Sequence, residues 1–103
     1  MTEKLVRDRI PEVMAAQERV GRFRLAGPEE VLPLLLAKVQ EEAAEVAASN
    51  GSAEEIADMI EVLEALAVHR GYPQKELQAL REEKRRIRGG FERGLILIQG
   101  SGV

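Results

Sequence analysis

Two stretches, Lys38-Val-Gln-Glu-Glu-Ala-Ala-Glu45 and Glu55-Ile-Ala-Asp58, determine how the rest of this chain is interpreted. Each carries two acids three residues apart, Glu42 with Glu45 and Glu55 with Asp58. Positions i and i+3 of an α-helix lie on the same face. If both stretches are helical, each helix therefore presents a pair of carboxylates on one side.

A short polar turn, residues 49–52, joins the two stretches. A connection this short makes two helices antiparallel neighbours, so the four carboxylates are expected to converge. Converging like charges repel one another unless a cation lies between them. A site made only of oxygen ligands selects hard cations, so the pattern predicts Mg²⁺, with Mn²⁺ as the alternative metal.

Other interpretations of these acids stay open. Glutamates on helix faces are commonly just solvated, and Ser52-Ala-Glu-Glu55 is also a capping box, in which Glu55 would bond back to the Ser52 backbone. The metal interpretation is favoured because no Lys or Arg occurs from 39 through 69 to neutralise the acids. A carboxylate-bridged di-iron bundle is disfavoured, since its Glu-x-x-His pairs are absent and the only histidine, His69, does not follow an acid at that spacing.

Apolar residues at helical spacing predict three major helices, over residues 28–48, 53–70 and 74–88. Pro33 means that the first of them either begins late or is kinked. A shorter helix is predicted over 12–19, capped by Asp8 and ended by Gly21. The first major helix has an apolar stripe, and the second has an apolar face. The third is expected to turn Leu77 and Leu80 inward. The stripe consists of Leu32, Leu35, Leu36, Val39, Ala43 and Val46, and the face of Ile56, Ile60, Leu63 and Ala67.

Two segments outside these helices are predicted to be extended. Residues 23–25 follow the short helix, and the apolar tail, 91–99, reads either as a strand or as an arm that packs on a partner chain.

Length and composition limit the class of protein. A chain of 103 residues is predicted to form one domain, 1–103, and at this size it buries a limited core alone, so self-association is expected. A net charge of −3 argues against a nucleic-acid polymer as partner. Without cysteine there is no thiolate metal site or thiol nucleophile. With no signal-peptide pattern and no apolar run near the ~18 residues of a membrane span, we expect a soluble, cytoplasmic protein.

Positive charge is concentrated between residues 81 and 93. Lys84 and Arg88 lie one helical turn apart and are predicted to hold phosphate oxygens, although such residues also complement a helix C-terminus. Lys38, one turn before Glu42, is either a salt-bridge partner or a further phosphate contact. The run Arg7-Asp8-Arg9 is either an ion-paired helix cap or a clamp near the acids.

Three motifs in this order resemble a known family. The paired acids resemble the signature of the all-α nucleotide pyrophosphohydrolases of the MazG type, and the other two motifs resemble the opening and closing motifs of its phosphoribosyl-ATP pyrophosphohydrolase-like branch. The motifs are Glu42-x-x-Glu45 with Glu55-x-x-Asp58, Lys4-Leu-Val-Arg-Asp-Arg-Ile-Pro11, and Lys84-Arg-Arg-Ile-Arg-Gly-Gly-Phe91. One departure is that residues 46–54 connect the acid pairs more tightly than is usual in the family.

The resemblance implies a function and an assembly. It implies Mg²⁺ held by Glu42, Glu45, Glu55 and Asp58, with Glu41 able to help through water. It also implies hydrolysis of a nucleoside triphosphate between the α and β phosphates, giving a monophosphate and pyrophosphate, in nucleotide-pool house-cleaning. We therefore expect an all-α fold whose four-helix core is completed in a homodimer or higher oligomer. The alternative is a non-catalytic helical dimerisation module whose acids are solvated.

Overall fold

A computed structural model describes residues 3–100 and 102 of the chain. Those residues form four helices and no strand, which confirms the predicted all-α class. The helices are α1 (Ile10–Ala16), α2 (Pro28–Ala48), α3 (Ala53–Arg70) and α4 (Gln74–Arg88). The chain divides into two compact units, Met1–Gly71 and Tyr72–Val103, and the prediction of a single domain over 1–103 stays a prediction.

Helices α2 and α3 form the hairpin on which the first unit is built, and both have the predicted bounds. At the start of α2 the backbone N–H of Gly27 donates to the Glu30 carboxylate at 2.7 Å. At the start of α3 the Ser52 hydroxyl accepts from the backbone N–H of Glu55 at 3.4 Å. Gly71 ends α3 in the left-handed conformation, with φ of 75°. These local signals explain why the bounds were predictable.

Pro33 lies inside α2, so the helix begins at Pro28 and does not begin late. Pro33 is the sixth residue of the helix and has no N–H. The carbonyl of Glu29, four residues earlier, therefore lacks its usual intrahelical donor. The packing of α2 against α3 offsets this local cost.

The turn between α2 and α3 requires two consecutive residues in the left-handed region. Asn50 has φ of 55° and Gly51 has φ of 75°. Asparagine and glycine are the residues that adopt this conformation most readily. The Gly51 backbone N–H donates back to the Val46 carbonyl at 2.8 Å, and the Ser49 hydroxyl accepts from the Ser52 backbone N–H at 3.1 Å. The turn is therefore fixed by its own hydrogen bonds.

The short helix lies earlier than predicted. It spans Ile10–Ala16, not 12–19, and Arg9 occupies the N-cap position predicted for Asp8. It ends before Gly21 because Glu18 adopts a left-handed conformation (φ of 57°) and the Arg19 backbone N–H donates to the Met14 carbonyl at 2.8 Å. A glutamate is an uncommon residue for this role, so the sequence pattern did not indicate it. Residues 23–25 form no strand.

An N-terminal segment, residues 3–9, is tied to the hairpin by ion pairs. Arg24 bridges Glu3 at 2.9 Å and Glu30 at 2.7 Å. The hydrogen bond from Arg24 lowers the pKa of Glu30 to about 2. Lys4 pairs with Glu41 of α2 at 2.9 Å. These contacts hold a stretch without regular structure alongside the two long helices.

Little of the hairpin's apolar surface is buried in the described chain. Leu35 is the only buried hydrophobic residue among the described positions. The predicted stripe of Ile56, Ile60 and Leu63 does share one face of α3, but each of these side chains is nearly half exposed. The half-buried side of α3 carries two acids beside apolar residues, and it comprises Glu55, Asp58, Met59, Val62, Leu66 and Ala67.

The second unit consists of α4 and the tail that follows it. Leu77 and Leu80 were predicted to face inward, but both are exposed. Gly89, with φ of 81°, ends α4, and the described tail contains neither helix nor strand. The strand interpretation of 91–99 is therefore wrong, and packing of this arm on a partner stays a prediction. Within the described residues no helix is both long and apolar enough to span a bilayer.

Candidate metal centre

Three of the four acids predicted from the sequence converge at the α2–α3 hairpin. Glu42, Glu45 and Glu55 each offer a carboxylate oxygen, and these oxygens all lie within 4.8 Å of one another. Two come from one turn of α2 and the third from the first turn of α3, so the short connection brings them together. We call these three residues the carboxylate cluster.

The buried part of the cluster contains oxygens without partners. Glu42 is only 6% exposed, and its Oε2 has no hydrogen-bond donor. Oε2 of Glu55 is also buried and also lacks a donor. A buried acceptor left unsatisfied costs roughly 1–3 kcal/mol. Solvated surface glutamates do not have this arrangement, which is the reason to ask what the two oxygens bind.

Burial raises the pKa of Glu42 above its usual value, and the negative charges of Glu45 and Asp58 add to the effect, while Lys38 opposes it. A hydrogen bond to Glu45 also raises the pKa of Glu42, because this bond requires the protonated form of Glu42. Because the raised pKa favours the protonated folded state, Glu42 contributes stability below its ordinary pKa. That contribution is lost as the pH rises through the raised value. The ionised form of the Glu42 carboxylate is therefore a cost to the protein without a bound cation.

Asp58, the fourth predicted ligand, has a different partner. Its Oδ1 accepts from Arg7 Nη2 at 2.6 Å, and it is not among the three converging acids. Asp58 is still near enough to act on the charge of Glu42. The Arg7 guanidinium therefore lies at the edge of the cluster. Arg9 instead pairs with Glu12 in the first turn of α1. Arg7 therefore fits the predicted clamp near the acids, whereas Arg9 fits the predicted ion-paired helix cap.

Two lysines, Lys38 of α2 and Lys4 of the N-terminal segment, partly neutralise the acids. Lys38 lies 3.3 Å from Glu41 and 3.6 Å from Glu42 Oε1. Glu41 also pairs with Lys4, and that hydrogen bond lowers the pKa of Glu41. Both lysines lie outside residues 39–69, so the acids are partly neutralised although that range contains no Lys or Arg. Lys4 and Arg7 lie in an irregular segment without periodicity, and only their motif indicated that the segment mattered.

Only one of the two hydrogen bonds of a capping box is present between Ser52 and Glu55. The Ser52 hydroxyl accepts from the Glu55 backbone, as a capping box requires. The reciprocal bond is replaced, since the Ser52 backbone N–H donates to Ser49 Oγ at 3.1 Å. The Glu55 carboxylate is thus left to face Glu42 and Glu45.

The donor set of the cluster fits a hard divalent cation. Its ligand atoms are carboxylate oxygens, and two of its three residues, Glu42 and Glu55, each have a buried oxygen without a hydrogen-bond partner. Opposite oxygens around Mg²⁺ lie about 4.2 Å apart, so a small closure of the exposed Glu45 side chain is compatible with that ion. Mg²⁺ usually keeps several waters, so three carboxylates are sufficient protein ligands.

Lys84 and Arg88, predicted to hold phosphate, lie in α4 of the second unit. Their role stays a prediction. Arg88 is the last residue of α4, and Arg85 pairs with Glu92 just beyond the helix, while Arg86 pairs with Glu83 at 2.7 Å. Part of the basic run is thus used in local ion pairs.

No protein-family model matches this chain, and neither a curated protein nor a solved structure matches it. The resemblance to the MazG-type family therefore rests on the three sequence motifs. The assignment of an activity is accordingly a proposal.

Proposed function

We propose that the protein is a Mg²⁺-dependent hydrolase that cleaves a nucleoside triphosphate, or a related nucleotide, between the α and β phosphates. The products are a nucleoside monophosphate and pyrophosphate. The observation that supports this most is the pair of buried, unpartnered oxygens of Glu42 and Glu55 within the carboxylate cluster. Mn²⁺ is the alternative metal, because it prefers the same oxygen ligands.

The chain's own residues have distinct roles in this proposal. Glu42, Glu45 and Glu55 hold the cation, and Asp58 completes the set either as a further ligand or through water. When bound, the cation polarises a phosphoryl oxygen and lowers the pKa of water. The carboxylate oxygens that do not face the cation accept a hydrogen bond from the attacking water and orient it.

Positive side chains offset the charge of the substrate and of the departing pyrophosphate. Lys38 is the first of them, since it is largely buried and lies 3.6 Å from Glu42. Lys84 and Arg88 are proposed as further phosphate contacts on the grounds of their spacing. Electrostatic stabilisation by positioned charges is the main protein contribution in phosphoryl transfer.

A second candidate function is favoured by a different observation. The exposed stripe of Ile56, Ile60 and Leu63 on α3 suits an interface, and a single buried hydrophobic residue within the described part of the chain is a small core for a domain. A non-catalytic helical dimerisation module would use this stripe and leave its acids solvated. The same stripe fits the proposed homodimeric enzyme, so it is the buried unpartnered carboxylates that favour catalysis.

The test is pyrophosphate release from a panel of canonical and modified nucleoside triphosphates. We expect release with Mg²⁺ or Mn²⁺ and none above background with excess chelator. Metal-dependent release from at least one nucleotide would support the hydrolase, and the ranking of the panel would indicate its substrate. Equal release with metal and with chelator would contradict it. If no nucleotide is cleaved, the dimerisation module becomes the better account.

A further inference from the structure

A cavity of about 580 Å³ lies between the N-terminal segment and the α2–α3 hairpin. The segment contributes Leu5 and Val6 to its lining, α2 contributes Leu35, and α3 contributes Val62 and Ala65. Cavities that bind small molecules typically have volumes of roughly 300–1,000 Å³ and mostly apolar linings. This cavity therefore has the size and the lining of a ligand site.

The charged residues of the lining favour an anion. Arg7, Arg9 and Lys38 supply three positive charges, against two negative charges from Asp8 and Glu61. The chain as a whole has a net charge of −3, so this local excess of positive charge runs against the composition. Each of these cations also pairs with an acid outside the lining, so the preference for an anion rests on the positioned donors of the cations and not on a net positive charge of the surroundings.

The three cations retain hydrogen-bonding capacity. A guanidinium has five N–H donors, and Arg7 uses Nη2 for Asp58 while Arg9 uses Nε for Glu12. Lys38 has three donors, and its contacts with Glu41 and Glu42 are long, at 3.3 and 3.6 Å. Each can therefore bond to a ligand without first losing its present partner.

The cavity adjoins the carboxylate cluster through two of these residues. Lys38 lines the cavity and lies beside Glu42, and Arg7 lines the cavity and bonds to Asp58. A ligand anion held between Arg7 and Lys38 would thus be next to the cluster. The rest of the same ligand would extend over Leu35, Val62 and Ala65.

We propose that this cavity binds the nucleoside part of the substrate and that Arg7 and Lys38 contact the phosphates of the same substrate molecule. The proposal rests on the proposed function, which it deepens by assigning the organic half of the substrate to a site formed by the N-terminal segment. None of the described residues that line the cavity is aromatic. The base is then held by aliphatic packing and not by stacking, so we expect weak discrimination among bases.

The test compares two probes on the full chain by calorimetry. One is a set of the four α,β-methylene ribonucleoside triphosphates, which resist cleavage between the α and β phosphates, and the other is inorganic tripolyphosphate, which has no nucleoside. In Ala65→Trp the indole occupies the cavity without removing a charge. We expect the Kd of the nucleotides to rise about tenfold, and the Kd of tripolyphosphate to change less than about twofold.

Two further variants test whether the effect of Ala65→Trp arises from the cavity itself. Ala48→Trp places the same side chain at an exposed position of α2 outside the cavity, and it is expected to bind both probes as the wild type does. Glu61→Lys reverses a charge in the lining and is expected to tighten nucleotide binding about threefold or more. A gain in affinity cannot arise from misfolding, so this variant keeps the proposal open to contradiction even if Ala65→Trp folds poorly.

The outcomes separate this inference from the hydrolase itself. Equal weakening of both probes by Ala65→Trp, no weakening of either, or no effect of Glu61→Lys would overturn the cavity assignment. So would an absence of nucleotide binding both with Mg²⁺ and with chelator. Nucleotide binding that responds as expected to the cavity variants, in a protein that releases no pyrophosphate, would support the cavity and contradict the hydrolase.

Discussion

Replacing Glu42 with glutamine is expected to lower metal-dependent pyrophosphate release by at least about a hundredfold. Glu42 is the most buried member of the carboxylate cluster, and its Oε2 is buried without a hydrogen-bond partner. The amide keeps the shape of the side chain but removes its negative charge. The measurement is the initial rate at saturating Mg²⁺ on whichever nucleotide the wild type cleaves.

A measurement of stability distinguishes such a loss of activity from a loss of folding. Without Mg²⁺ the Glu42→Gln variant is expected to be more stable than the wild type by about 1 kcal/mol, because a buried negative charge that Lys38 only partly offsets is removed. Its amide can also donate to a neighbouring carboxylate. The matched control is Glu64→Gln, an exposed glutamate of α3, which should keep the wild-type rate. A Glu42→Gln protein that is folded and fully active would contradict the assignment of Glu42.

Replacing Leu35 with alanine is expected to destabilise the fold by about 3 kcal/mol. Leu35 is the only buried hydrophobic residue among the described positions, and it lies in α2. Truncation leaves a void that neighbouring side chains only partly fill. Domains of this size have little stability to lose, so we expect a large fall in the midpoint of denaturant unfolding.

The adjacent residue provides the control for that experiment. Leu36 is 48% exposed in the single chain, so Leu36→Ala is expected to cost less than about 1 kcal/mol in dilute protein. If two chains bury Leu36 together, its cost should grow with protein concentration, which reports on the proposed dimer. Equal costs for both substitutions in dilute protein would contradict the placement of Leu35 in the core.

The three long helices could be predicted from the sequence because each has strong local start and stop signals. Pro28, Ser52 and Gly71 act within one turn of the chain, and their effects do not depend on tertiary structure. The shifted α1 shows the limit of such signals. Its end depends on a glutamate in a left-handed conformation, for which the residue type gives little indication.

The candidate site was only partly predictable for a related reason. Spacing of three residues places Glu42 beside Glu45, and the short turn brings Glu55 to them. The partner of Asp58, in contrast, comes from a segment 51 residues away that has no periodic pattern. Contacts of this kind depend on how an irregular stretch packs. Periodicity predicts which face an acid occupies, but not which distant cation reaches it.

Hydrophobicity alone does not say which chain covers the apolar stripe of α3. Ile56, Ile60 and Leu63 have helical spacing, yet they remain substantially exposed in the single chain. The half-buried side of α3 includes Glu55 and Asp58 beside apolar residues. A fold that partly buries carboxylates and leaves an aliphatic stripe exposed is costly for an isolated chain, unless a cation and a partner each cover one side.

The most direct test of the central claim, that the carboxylate cluster is a divalent-cation site, is Mn²⁺ binding followed by electron paramagnetic resonance. At neutral pH we expect at least one bound Mn²⁺ per chain, displaced by Mg²⁺. Binding should be lost in both Glu42→Gln and Glu55→Gln, and it should weaken on acidification toward the raised pKa of Glu42, because protonation competes with the metal. Equal Mn²⁺ binding by the wild type and both variants would contradict the claim.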